Sequence, residues 1–260
     1  TGSLGNRIWS VAVEMEAEQR ARRAFLFWWT LACALKLAVA ARLPLFPLQE
    51  VVITQELSEL RRDELEYALA GHLKGNFFSV NLDALRASLE QLPWVRRADA
   101  RRQWPGRIEV SIEEHLPVAF WGAATGQLVN QYGEVFTATL SKPPANPLPV
   151  LTGPAGLAAE MLADFQQAET VLHTVGRWPK ALNLSPRLAL QLRLDDGMVV
   201  ELGRQQAKAP VFQRLTRFVE HYPELLAVGG KRPAAVDMRY PNGFALRFAA
   251  ASGNEGKGKP

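Results

Sequence analysis

Residues able to do chemistry are few in this chain, and their spacing argues against a catalytic centre. His72, His115, His173 and His221 are scattered without the short intervals that let two imidazoles share a metal. Cys33 is the single cysteine, so neither an intramolecular disulfide nor a cysteine-pair zinc site can form. No G-x-S-x-G, P-loop or H-E-x-x-H pattern occurs. Asp195-Asp196 offers two adjacent carboxylates, but Asp-Asp-Gly between alternating apolar runs reads as a hairpin turn. Glu113-Glu114 has an equally plain place at a strand end. The expectation is a binding protein with no enzyme activity, cofactor, metal or small-molecule substrate.

Charge narrows the partners. Thirty basic and 26 acidic residues leave a formal net charge of +4, too little to call for nucleic acid. Arg96, Arg97, Arg101, Arg102 and Arg107 cluster within one segment, without the interleaved aromatics of a nucleic-acid platform. A solvated strand face, an anionic membrane surface and an acidic partner all remain open for them.

The elements that would position a binding surface begin with an apolar run. Residues 24–41 contain one charge, Lys36, and would form a helix roughly 27 Å long, near the thickness of a hydrocarbon core. Trp28 and Trp29 lie toward one end. Arg20, Arg22 and Arg23 precede the run and only Arg42 closely follows, which places the N-terminus inside and the bulk of the chain across the membrane. A retained anchor is one reading. A buried core helix and a cleaved signal peptide, suggested by Ala38-Val39-Ala40, are the others.

After a Pro-containing neck at 44–50, the pattern predicts a strand from Leu48 to Thr54. Two amphipathic helices follow, the second with Asn81 as N-cap and Pro93 as stop. A hairpin turning at Trp104-Pro105-Gly106 then completes a strand–helix–helix–strand–strand unit. Beyond Phe120 the chain predicts a hairpin at Tyr132-Gly133, a loop over 141–156 and a helix carrying Met161 to Leu172. A second hairpin turns at Asp195-Asp196-Gly197, and a further helix from Val211 is stopped by Pro223. The last strand signal, Val236 to Phe248, contains Pro241, which cannot donate to a ladder and so marks a sheet edge or a bulge. From Ala250 the composition predicts disorder. An open edge can accept a partner's strand, and Arg239 and Tyr240 are residue types enriched at binding hot spots, but the sequence by itself favours an ordinary edge protected by the proline and the tail.

Several stretches, in order, resemble the bacterial FtsQ/DivIB cell-division family: GNFFSVNLDALRASLEQLPWV (75–95), WPGRIEVSIEEHLPVAFWG (104–122), LVNQYGEVF (128–136), ELGR (201–204), RFVEHYP (217–223) and VDMRYPNG (236–243). The first two resemble its POTRA domain.

The resemblance implies an α+β protein. Residues 1–23 would be a cytoplasmic segment, 24–43 a transmembrane anchor and 44–118 a POTRA domain of β-α-α-β-β order. A β-rich domain with two helices and an open C-terminal edge strand would fill 119–249, ahead of a disordered tail at 250–260. It further implies an inner-membrane scaffold, with its bulk in the periplasm at the division septum, that binds the division proteins FtsB and FtsL. Carried over by position, the partner-binding residues would be Arg239, Tyr240, Pro241, Asn242, Gly243 and Phe244, with Arg187 and Glu220 as weaker candidates. The alternative is a POTRA-type binding module of an outer-membrane transport or insertion system, although only about 140 residues follow the first domain, too few for its many-stranded barrel.

Overall fold

The computed structural model describes residues 22–23, 25–36, 46–122, 126–144, 146–227, 232–240 and 243–248. The chain divides into two compact units, residues 1–113 and 114–260.

Residues 22–23 and 25–36 are helical (α1). Phe25, Phe27, Trp28, Trp29 and Leu35 are each 62–67% exposed, so the apolar surface runs around the helix instead of along one stripe. Among the described residues no helix is long and apolar enough to cross a membrane. Residues 24 and 37–43 of the expected anchor lie outside the described residues.

The rest of the first unit is β1 (Glu50–Ile53), α2 (Arg62–Ala70), α3 (Leu82–Leu89), β2 (Val95–Gln103) and β3 (Arg107–Glu114), in the predicted order. The sheet order is β1-β3-β2, with β1 parallel to β3. Ile108, Val110 and Ile112 alternate inward on β3 and are 0–3% exposed. Leu65 and Leu69 of α2 and Leu85 and Leu89 of α3 supply the facing side of this core. Asn81 caps α3 as its sequence position suggests, its side chain accepting from the backbone N–H groups of Asp83 and Ala84.

In the second unit a nine-stranded sheet runs β12-β11-β10-β9-β8-β7-β4-β5-β6. Its strands are β4 (Pro117–Trp121), β5 (Gln127–Asn130), β6 (Val135–Thr137), β7 (Val150–Thr152), β8 (Pro179–Leu184), β9 (Ala189–Leu194), β10 (Val199–Arg204), β11 (Ala235–Asp237) and β12 (Ala245–Arg247). The long helix α4 (Ala158–His173) packs on β7 and β8, and α5 (Val211–Glu220) on β10. Leu151, Leu182, Leu192, Val200, Leu215, Phe218 and Val236 meet in one core beneath the helices.

Three expectations change here. The predicted loop over 141–156 contains β7, a strand in the sheet interior that runs parallel to both β4 and β8. With only three residues, set among Pro147, Pro149 and Gly153, it carries too little alternation to be read as a strand. Strand β8 itself went unpredicted. Pro223 does not end the helical region: after a break at His221, it occupies the first turn of a short helix, α6 (Tyr222–Ala227), where its missing N–H costs nothing. The single edge strand expected over Val236–Phe248 is a hairpin of two short strands, in which Ala235 pairs with Arg247 and Asp237 with Ala245.

Gly133 shows how tightly one turn is fixed. Its φ is +79°, and a β-carbon there would stand 2.3 Å from Ala159 Cα. Gly133→Ala is therefore expected to destabilise the chain by about 2–4 kcal/mol, combining a left-handed backbone penalty with a clash against helix backbone. A denaturant titration reads the loss.

Candidate functional site

The candidate surface is built where β10, β11 and β12 end. β11 lies between a parallel neighbour, β10, and an antiparallel one, β12, with Glu201, Asp237 and Ala245 in register across the three. The outer edge of β12 pairs with no other strand among the described residues. Val236 and Leu246 face the core. The alternate positions Glu201, Asp237 and Ala245 line the opposite face, together with Arg239 and Arg247, in a shallow groove of about 300 Å³.

Arg239 is held in place. Its Nε and Nη2 donate to Asp237 Oδ1 and Oδ2 at 2.8 and 2.6 Å, and its backbone N–H donates to Asp237 Oδ1 at 3.0 Å. Its stem lies over Gly203, whose φ of +72° sits beside a shift of register between β9 and β10. A β-carbon on Gly203 would come 2.8 Å from Arg239 Cγ, so only glycine gives the arginine this seat. The guanidinium side chain nevertheless remains 61% exposed. It can accept a second, external carboxylate while Asp237 orients it.

Arg217 of α5 fixes the segment that follows. Its Nη2 donates to the carbonyls of Tyr240, at 2.8 Å, and Met238, at 3.3 Å. The Tyr240 side chain stays 55% exposed. Phe244 is half-buried against the core, with its ring 6.0 Å from that of His221. Gly243 has open space where a side chain would be. Pro241 and Asn242 lie outside the described residues. Arg187 is exposed in the turn from β8 to β9, and Ala189 pairs with Arg204 at the end of β10, so the strand register brings it to the same end of the sheet. Glu220 is exposed on α5, three residues beyond Arg217.

Sequence reasoning passed over Glu201, Gly203, Asp237 and Arg217. The Asp237-x-Arg239 spacing was the available signal, since residues two apart on a strand share a face.

The arginine cluster of the first unit is largely consumed internally. Arg101 forms a two-pronged pair with Glu109, Arg96 pairs with Glu113 and Arg107 with Glu50. Arg102 donates to the carbonyls of Phe77, Phe78 and Val80. Asp195 and Asp196 sit at the β9–β10 turn beside Arg177, whose Nε donates to the Tyr222 hydroxyl at 2.6 Å. Among the described residues no group of His, Cys, Asp and Glu could hold a metal ion.

The Asp237 carboxyl is held below its ordinary value of 3.8, chiefly by the Arg239 hydrogen bonds. A depressed carboxylate stabilises the fold above its unfolded-state pKa, and that stabilisation is lost as pH falls through the lower folded value. Asp237→Asn is thus expected to flatten the acid limb of stability below about pH 4 and to leave its shape above that unchanged. Thermal midpoints of both proteins across the acid range test this.

A small unit of β-α-α-β-β order, followed by a nine-stranded sheet whose last strand has one edge unpaired among the described residues, is the architecture of the POTRA-containing class. The family model described as the POTRA domain, FtsQ-type, matches residues 46–115, and that of the cell division protein FtsQ/DivIB C-terminal region matches 119–239. The cell division protein FtsQ of Burkholderia pseudomallei is 38% identical over 206 residues, covering 79% of this chain and 81% of its own. That of Nitrosospira multiformis is 36% identical over 210 residues, covering 79% and 85%. That of Shewanella oneidensis is 36% identical over 209 residues, covering 80% and 77%. The chain belongs to the FtsQ/DivIB family of cell division proteins. It is accordingly a non-enzymatic component of the division machinery that works with other division proteins.

Proposed function

We propose that this chain is a divisome scaffold anchored in the inner membrane by residues 24–43, with its bulk in the periplasm, and that it binds FtsB and FtsL through the β11–β12 end of its second unit. The observation that carries the binding reading is the edge of β12, unpaired among the described residues and flanked by an arginine that Asp237 orients but leaves exposed. Such an edge offers backbone N–H and C=O groups to an added strand, and Arg239 would take an acidic residue of that strand. Tyr240 would cover the contact with its ring, Gly243 and Phe244 would border it, and Pro241 and Asn242 are assigned to it by the family resemblance alone. Arg187 and Glu220 would stand at the rim. As a scaffold the chain would link early and late division proteins by binding, without turnover.

The anchor reading is supported by the apolar surface all around α1, which water solvates poorly and lipid accepts. Arg20, Arg22 and Arg23, ahead of the apolar run that starts at residue 24, would set the orientation. The full chain in detergent, titrated with a purified FtsB–FtsL complex, tests the binding claim. Saturable association is expected, and no measurable binding at micromolar concentration would refute it.

A further inference from the structure

The first unit exposes an aromatic cluster that the binding surface above does not use. Phe46, Phe78 and Trp104 are 36%, 45% and 65% exposed, and they form one patch around the buried Phe77. The ring of Phe46 lies 5.2 Å from Phe78 and 6.0 Å from Trp104, and Phe77 lies 5.1 and 6.0 Å from the same two rings. Three separate segments meet to make it: the stretch leading into β1, the loop before α3, and the β2–β3 turn.

The patch is braced from beneath. Buried Asn76 accepts through Oδ1 from the N–H groups of Phe78 and Ser79 at 3.0 and 2.8 Å, and its own N–H donates to Ser79 Oγ. The Phe77 N–H donates to the Phe46 carbonyl, and that of Gln49 to the Gly106 carbonyl. Arg102 spends its guanidinium on three carbonyls of the same loop. Polar groups are thus committed to holding large apolar rings outward, where water disfavours them, as expected of a surface that meets something apolar.

Chain length says what that is. Only three residue steps separate Leu43, the end of the proposed anchor, from Phe46, a span of about 11 Å at most. Phe78 and Trp104 pack against Phe46. On the proposed anchor, the whole cluster then lies within reach of the headgroup layer, where Trp and other amphipathic aromatics are enriched. We infer that Phe46, Phe78 and Trp104 form an interfacial docking surface that rests the first unit on the outer leaflet of the membrane holding the anchor. The rings, and not the internally paired arginines, make this contact. It restricts the tilt of the unit relative to the bilayer. The inference rests on the anchor reading.

The test uses the full chain labelled with 5-fluorotryptophan in phosphatidylethanolamine–phosphatidylglycerol nanodiscs, with and without lipid carrying a nitroxide near the top of its acyl chain. Fluorine lines are assigned by Trp→Phe substitution. Severalfold broadening is expected at Trp28, Trp29 and Trp104. In Phe78→Asn the Trp104 broadening should fall severalfold while the line of buried Trp94 keeps its position, which reports that the unit remains folded. Broadening at Trp28 and Trp29 with none at Trp104 would overturn the docking surface, leave the anchor standing and reassign the patch to a protein partner. No broadening at any of the three would overturn the anchor and the docking surface together.

Discussion

Arg239→Glu is expected to weaken binding of FtsB by about 100-fold, a loss of ~2.7 kcal/mol, while changing the stability of the chain far less. The asymmetry follows from where the arginine sits. Its pair with Asp237 is mostly solvent-exposed on the arginine side, and exposed pairs contribute roughly 0–1 kcal/mol to folding. A partner strand laid along β12 would exclude water from the outward side of the guanidinium, which makes a charged contact there worth more. The substitution removes that contact and sets a carboxylate beside Asp237 and Glu201, so a partner carboxylate meets three negative charges. Tyr240→Ala is the companion, expected to cost about tenfold or more through loss of ring contact alone. Its carbonyl still accepts from Arg217, so the backbone of the segment stays fixed. Calorimetric titration with purified FtsB, beside thermal melts of each variant, separates the two effects. Unchanged affinity in Arg239→Glu would remove this end of the sheet from the interface.

The second large effect lies at the other side of the sheet. Asn130→Ala should destabilise the chain by about 3 kcal/mol or more, lowering the midpoint by roughly 10 °C. Asn130 is fully buried. Its Oδ1 accepts from the N–H groups of Tyr132 and Glu134, both at 2.9 Å, and its Nδ2 donates to Glu134 Oε2 at 2.6 Å. With the carbonyl oxygen committed to two backbone donors, the amide nitrogen also faces His115 Nδ1 at 2.9 Å, which assigns that ring nitrogen as the acceptor. Alanine removes the shared acceptor of two turn N–H groups and, with it, the buried amide's contacts to Glu134 and His115, so a connected network is lost at one position. Gln131→Ala, at the exposed neighbouring position, should change the midpoint little, and a loss of equal size there would show that turn propensity and not the buried network is responsible.

The first unit was readable because its signals are local and agree with one another. Asn81 marks a helix start, Leu85 and Leu89 repeat at helical spacing, and Ile108, Val110 and Ile112 alternate at the spacing of a strand. The second unit was readable only where the same held, as along α4 and in the hairpin turning at Asp195-Asp196-Gly197. β7 was not, because three residues between prolines carry no period, and its place comes from two parallel neighbours distant in sequence. The arginines of 96–107 carried charge in the sequence, but nothing there said that Glu50, Glu109 and Glu113 would neutralise most of it.

Residue types and intervals gave the expectation that the chain is not an enzyme, and the FtsQ/DivIB family to which it belongs bears that out. The apolar segment was legible in the sequence as well, because composition acts within a few residues, whereas Arg239 and Tyr240 stood out only through the family resemblance. Tertiary structure decided which strand is the edge: the proline-marked segment is a hairpin, and β12 lies outermost because β11 is hydrogen-bonded on both sides. It also decided that Arg239 is oriented by Asp237 and seated on Gly203, 36 positions earlier in the chain. Non-local pairing fixes such arrangements, and its register is written in no single stretch of sequence.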